Sequence, residues 1–253
     1  MRTVVIGASS GLGRCLGVGL AQRGARVALL ARRRERLDAA VKEAGEGALA
    51  IECDVTDPTS CTAAIDKAAA ELGGIDALVY TPAIGPLARL VDTDKDTWAR
   101  VFETNVTGAA LATAAAIPHL TEARGVAVYL SSVSASQTPP WPGLGAYAVS
   151  KAALDKLVEA WQIEHPSVAF TRCVVGDCPG GEGDGLTGFA DHWDPALAAE
   201  LGTIWVERGL IAGAFIDVDH LVAAVDGVLR SGASVATTSI TLAPRRPDPN
   251  ATG

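Results

Sequence analysis

Short runs of apolar and β-branched residues alternate along this chain with longer Ala-rich stretches that carry charge on one face. The runs are apolar on both faces, as strands of a covered parallel sheet must be, and the intervening stretches have helical length and periodicity. The pattern predicts strands at Thr3 to Ile6, Arg26 to Ala31, Ala48 to Cys53, Ala77 to Tyr80, Val126 to Ser131, Val168 to Val175 and Val235 to Leu242. Helices are expected at about 12–23, 34–44, 58–72, 94–122, 146–164 and 218–230. Such alternation is the signature of an α/β, doubly wound, Rossmann-like fold of about seven parallel strands flanked by helices. Its ligand crevice lies beyond the carboxyl ends of the strands. One domain is expected over residues 1–243, followed by a tail, 244–253, that frays or meets another subunit. The stretch from Asp177 to Gly188 is dense in glycine and too acidic to pack. With the aromatic residues after it, it predicts a mobile lid over about 180–213.

Composition narrows the functional classes. Apolar residues make up 49% of the chain but aromatics only 5%, so the core must be built from Ala, Val, Leu and Ile. A net charge of −8 argues against nucleic acid or an anionic membrane surface as the main partner. No window approaches the ~20 uninterrupted apolar residues of a membrane span. The first residues run straight into a strand without a signal-like pattern, and the expected location is cytoplasmic. Cys15, Cys53, Cys61, Cys173 and Cys178 form no C-x-x-C pair and read as reduced thiols. The four histidines are scattered, and no metal site is expected.

Two local patterns carry chemistry. In VVIGASSGLG, Gly7, Gly11 and Gly13, with Ser9, Ser10 and Leu12, follow the first strand and open the first helix. Glycines there let the backbone turn tightly and approach a pyrophosphate whose charge rests on the helix N-terminus, although a plain tight turn has the same composition. Farther on, Tyr147 and Lys151 lie four residues apart, on one face of a predicted helix. A cation within ~4–6 Å draws a phenol's pKa down from about 10, so the pair can exchange a proton with a carbonyl oxygen; a simple surface pair would have the same spacing.

The glycine pattern, Asn105 in FETNVTG, Ser132 in YLSSVSA, and Tyr147 with Lys151 together resemble the short-chain dehydrogenase/reductase family over roughly residues 1–180. The resemblance implies a single Rossmann-like domain and an NAD(P)-dependent oxidoreductase. It casts Tyr147 as acid/base, Lys151 as the cation that lowers its pKa and binds the nicotinamide ribose, Ser132 as the hydroxyl that orients the carbonyl, and Asn105 as holder of a relay water. Ser134 competes with Ser132, because the stretch to Tyr147 is about two residues longer than usual. At the end of the second strand, NAD-preferring relatives carry an acidic residue where this chain has Ala31 followed by Arg32, Arg33 and Arg34. A guanidinium, Arg32 above all, suits a 2′-phosphate, and NADP(H) is expected over NAD. Asp54 and Val55 correspond to the adenine-holding positions, though Asp54 also suits a turn or helix cap. Ala83, Pro179 and Gly180 complete the expected cofactor contacts.

Two departures stand out. Tyr80-Thr81-Pro82-Ala83 replaces the usual Asn-Asn-Ala-Gly, and the threonine usual after Pro179-Gly180 is displaced to Thr187. Trp141, Leu144, Phe189, His192, Trp193 and Trp205 are the residues expected to face a substrate, or else to pack in the core. They point to a largely apolar small molecule bearing a ketone or secondary alcohol. The alternatives are a 3-oxoacyl thioester reductase and a non-catalytic NADP-binding sensor or scaffold. A homodimer or homotetramer packed through helix 146–164 is expected from the resemblance.

Overall fold

The computed structural model of the chain describes residues 1–211, 213–231 and 234–245. Seven parallel strands form one sheet in the order β3-β2-β1-β4-β5-β6-β7. They are β1 (Arg2–Ile6), β2 (Arg26–Ala31), β3 (Leu49–Glu52), β4 (Ala77–Tyr80), β5 (Val126–Ser132), β6 (Ala169–Val175) and β7 (Ser239–Leu242). The order reverses between β1 and β4, the place where a doubly wound sheet opens its crevice.

Alternate residues of each buried strand feed different layers, because side chains change face at every residue. Val4 and Ile6 join Tyr80, Tyr129 and Phe170 on one face. Val5 joins Val79, Val128 and Cys173 on the other. Helices α3 (Pro58–Leu72), α5 (Gly108–Ala123) and α6 (Gly145–Glu164) cover the first face; α1 (Gly11–Gln22), α2 (Arg34–Ala44) and α8 (Val218–Leu229) cover the second. The few aromatic residues are concentrated rather than spread: the Tyr80 and Tyr129 rings lie 6.3 Å apart, and Tyr129 stacks on Phe170 at 6.4 Å.

The departures from the sequence pattern are local. The single helix expected over 94–122 is α4 (Lys95–Phe102), a π-helical turn (Glu103–Thr107) and α5 in unbroken succession. The extra residue in that wider turn carries Asn105 inward, a known use of π-bulges. The last strand was expected from Val235 but starts at Ser239. The lid segment contains a helix that its glycine-rich start concealed, α7 (Pro195–Glu207), begun by Asp194, whose carboxylate accepts from the Leu197 amide at 2.8 Å. Nor is the acidic stretch before it too charged to pack. Asp184 reaches Arg14 at 3.8 Å and Arg36 at 3.9 Å, Gly181 N donates to Gly185 O, and Thr187 N donates to Pro179 O. Among the described residues no helix is long and apolar enough to cross a membrane. Most of the tail, 246–253, falls outside the described residues.

Candidate active site

A cavity of about 730 Å³ opens beyond the carboxyl ends of the strands. At one end it is walled by the Gly7–Gly13 turn and the start of α2, at the other by β5, α6 and the residues before α7. Gly7 has φ +85°, and a Cβ there would lie 2.4 Å from Thr81 Oγ1; a Cβ on Gly13 would lie 2.4 Å from Gly7 O. The turn therefore folds back on itself under Thr81, in a shape only glycine permits. It delivers the N-terminus of α1, with no acidic residue in the first turn, to the cavity wall, where the helix dipole favours an anion.

Arg33, not Arg32 alone, defines the charge of this end. Its Nη2 donates to Ser9 Oγ at 2.9 Å and to Ser10 Oγ at 2.7 Å, so the guanidinium lies across the turn. Arg32 and Arg36 line the same wall, whereas Arg34 turns away to pair with Asp38 at 2.9 Å. Partial burial and then repulsion from Arg36 and Arg32 hold the Arg33 guanidinium below its ordinary pKa. Three crowded cations beside a helix N-terminus fit an anionic dinucleotide that brings negative charge to this wall. Asp54 lines the cavity and is also a turn residue: its Oδ1 accepts from Thr56 N at 3.0 Å and Thr56 Oγ1 at 2.8 Å, which holds its carboxyl below the usual range. Val55 and Ala83 line the wall; Pro179 and Gly180 do not, and Cys178, Leu186 and Thr187 take that edge. Gly180 instead bridges to Leu186, shaping the loop from behind.

At the opposite end, β5 and α6 bring Ser132, Tyr147 and Lys151 to one wall. Ser132 starts a 3-10 turn; its Oγ accepts from Ser134 N at 3.2 Å and lies 2.9 Å from Ser134 Oγ. Both serines that compete in the sequence thus share one hydrogen bond, and it is the Ser132 hydroxyl that eases ionisation of Tyr147. Lys151 is 2% exposed, donates through Nζ to Leu130 O at 2.7 Å and lies 5.8 Å from the centre of the Tyr147 ring. The expectation that Lys151 acidifies the phenol is not met within the chain alone. Burial pushes Tyr147 up to about 12, and the same burial pushes Lys151 down to about 8. Desolvation outweighs a charge at that distance whose ammonium is already engaged by a carbonyl.

Asn105 is fully buried and does not reach the cavity wall. Its Oδ1 accepts from Ile84 N at 2.8 Å, and its Nδ2 donates to Ile84 O at 2.9 Å and Ser150 Oγ at 2.9 Å. It therefore ties the loop after β4 to α6, one residue before Lys151, and its side chain acts as a brace. The altered Tyr80-to-Ala83 segment supplies its own ties. Thr81 Oγ1 donates to Ile6 O at 2.6 Å, joining β4 to β1, and Tyr80 donates from its hydroxyl to Thr104 O at 2.7 Å inside the π-turn. Thr81 and Tyr80 thus restore by other bonds what an asparagine amide would do. Residue spacing carried no sign of these ties, nor of Ser150.

Of the residues expected to face a substrate, Trp141, Leu144, Phe189, His192 and Trp193 line the cavity. Trp205 lies behind them, 5.1 Å from Trp141 and 5.9 Å from Trp193 between ring centres, and donates from its indole to Pro142 O at 2.9 Å. Phe189 stands edge-on to Tyr147 at 4.9 Å, and a Cβ on Gly85 would lie 2.0 Å from its ring. Trp193 donates from its indole to Gly85 O at 2.8 Å. These contacts clamp the segment before α7 over the loop after β4.

A parallel sheet with its cavity at the switch point, a glycine turn on an open helix end, and a half-buried Tyr147 beside a buried Lys151 define a nucleotide-binding oxidoreductase fold. Residues 2–180 match the short chain dehydrogenase family, and the chain belongs to it. A short chain dehydrogenase of Pseudocercospora fijiensis is 39% identical over 167 residues, 64% of this chain and 53% of that protein. Cis-4-hydroxycyclohexanecarboxylate dehydrogenase of Sinomonas cyclohexanicum is 40% identical over 134 residues, 51% of this chain and 54% of that protein. The matches thus span about half the length of these curated relatives. Among solved structures, a short-chain type dehydrogenase/reductase from Mycobacterium marinum superposes with a TM-score of 0.81 at 26% identity, covering 95% of this chain and 93% of that one. An alcohol dehydrogenase from Thermococcus sibiricus complexed with 5-hydroxy-NADP shares the fold, with a TM-score of 0.79 at 24% identity over 97% of this chain and 98% of that one.

Proposed function

We propose that the protein is an NADP(H)-dependent oxidoreductase that interconverts a carbonyl and a secondary alcohol on a largely apolar small molecule. The observation that carries this reading is the pairing, in one cavity, of an arginine-crowded helix N-terminus with a wall holding Tyr147, Ser132 and Lys151. A bound reduced nicotinamide supplies the hydride. Arg33, with Arg32 and Arg36, holds the 2′-phosphate side, and the Gly7–Gly13 turn lets the backbone approach the pyrophosphate. Ser132 donates a hydrogen bond to the substrate oxygen and sets its direction. Tyr147 gives that oxygen its proton; a phenol held at about 12 is protonated throughout the neutral range and so stands ready for the reductive direction. Lys151 places a positive charge behind the phenol and steadies the phenolate left after transfer. Phe189, Trp193 and Trp141 give the rest of the wall an apolar, aromatic character suited to a ring-bearing or aliphatic ketone. The relative acting on a hydroxycyclohexane carboxylate supports a cyclic substrate. We further place the protein in the cytoplasm as a homodimer or homotetramer joined through α6, whose Val149 and Ile163 are exposed.

The test combines thermal shifts with NADPH and NADH and a panel of ketones that includes a 3-oxoacyl thioester. NADPH should stabilise more than NADH, and cyclic ketones should be turned over faster than the thioester. Tyr147→Phe should lower turnover ~10²–10⁴-fold while leaving NADPH binding in place. Tight NADPH binding with no oxidation on any carbonyl would instead assign a sensor or scaffold role.

A further inference from the structure

Lys151 has a buried carboxyl one helical turn beyond it that the chemistry above does not use. Asp155 is 7% exposed on α6, and its Oδ1 makes no hydrogen bond among the described residues. Two more buried polar atoms, Ser131 Oγ on β5 and Arg172 Nε on β6, have no other partner at hydrogen-bond distance, and both residues act on Asp155. The strand that receives the ammonium also presents this hydroxyl: Leu130 O accepts from Lys151 Nζ, and the next residue, Ser131, favours the ionised form of Asp155. Burial raises the Asp155 carboxyl above its ordinary range; Ser131 from β5, Arg172 from β6 and Lys151 from α6 favour its ionised form, and Glu159 from α6 opposes it. Arg172 is already paired with Glu159 at 2.8 Å. Asp155 is the carboxyl whose charge favours the ammonium of Lys151, and the groups at the other end of that ammonium, Leu130 O and the Tyr147 ring, are neutral.

An ammonium removed this far from water is costly to keep charged unless a counter-charge accompanies it. We propose that Asp155 is a positioning residue, its buried carboxylate holding the Lys151 ammonium charged beside Tyr147, although Asp155 touches neither substrate nor cofactor. The proposal rests on the role given to Lys151 above, and its first test needs no catalysis. Lysine labelled with ¹³C at Cε reports the titration of Lys151 in the cofactor-free protein, with Lys151→Met assigning the signal. In Asp155→Asn that titration should fall by roughly one pH unit, and Asp155→Glu should restore it. Asp155→Ser removes the same charge with a smaller side chain and serves if the asparagine variant does not fold. In the second test, the alkaline limb of kcat/KM for NADPH-dependent reduction should move down by the same amount, with the KM for NADPH less affected than kcat. A Lys151 titration unchanged in the charge-removing variant, with only thermal stability lowered, would overturn the proposal and leave Asp155 a packing residue. Should no carbonyl be turned over, the resonance shift still decides the question, so failure of the enzymatic reading and failure of this one are told apart.

Discussion

At the scale of single residues, burial governs the chemistry more than neighbouring charge. All three tyrosines of the chain, Tyr80, Tyr129 and Tyr147, are pushed up, in each case chiefly by desolvation. A spectrophotometric titration of the cofactor-free protein should therefore show no tyrosinate band at the ordinary phenol value of about 10, and the difference against Tyr147→Phe should place Tyr147 near 12. A tyrosinate signal appearing near neutrality would mean that Lys151 governs the phenol after all. Tyr80 illustrates a different residue-level logic. Its hydroxyl answers the Thr104 carbonyl inside the π-turn, and Tyr80→Phe leaves that acceptor without its partner. The expected loss is about 1–3 kcal/mol of stability, read from urea denaturation, with a further loss of turnover because Asn105 sits on the same turn.

At the scale of elements, the site is held by joints rather than by any one strand or helix. Asn105 joins the loop after β4 to α6, Thr81 joins β4 to β1, and Trp193 joins the segment before α7 to Gly85. The acidic loop before α7 is fastened by Asp184 between Arg14 and Arg36, both pairs long and partly exposed. Pairs of that kind contribute ~0–1 kcal/mol, so Asp184→Asn should leave the melting temperature almost unchanged. It should, however, speed amide exchange and protease cutting around residues 181–188, because the loop is then left to its own backbone bonds and the contact of Cys15 with Gly185 O. Equal exchange in both proteins would show that the backbone bonds at Gly181 and Thr187 suffice.

At the scale of the whole molecule, one sheet lies between two apolar layers, and a crevice opens at its switch point. A ligand that bridges the arginine end and the tyrosine end stabilises both halves at once. NADPH at a hundredfold excess over its Kd should add about 2.7 kcal/mol to stability. Arg33→Ala should cost roughly tenfold in NADPH affinity and leave NADH nearly unaffected, as measured by calorimetry. Equal losses for both cofactors would assign Arg33 to the turn rather than to the 2′-phosphate. Small-angle scattering should report a dimer or tetramer, and a monomer would remove α6 as the joining face.

The alternation of buried strands and amphipathic helices was written into the chain locally, since each strand needed apolar side chains on both faces and each helix on one. The seven strands and the order of motifs along them follow from that requirement. So do the glycine turn and the Tyr147–Lys151 spacing, because a tight turn and a shared helix face are properties of neighbouring residues. Other features depended on groups distant in sequence and on how much water remained around them. Only the folded structure shows that Arg33 lies across the turn, that the Asn105 side chain braces the loop after β4 against α6, and that Thr81 and Tyr80 tie β4 to β1 and to the π-turn. The desolvation of Tyr147 and Lys151 belongs to the same class, for a pKa is set by surroundings and by partners that a spacing of four residues does not contain.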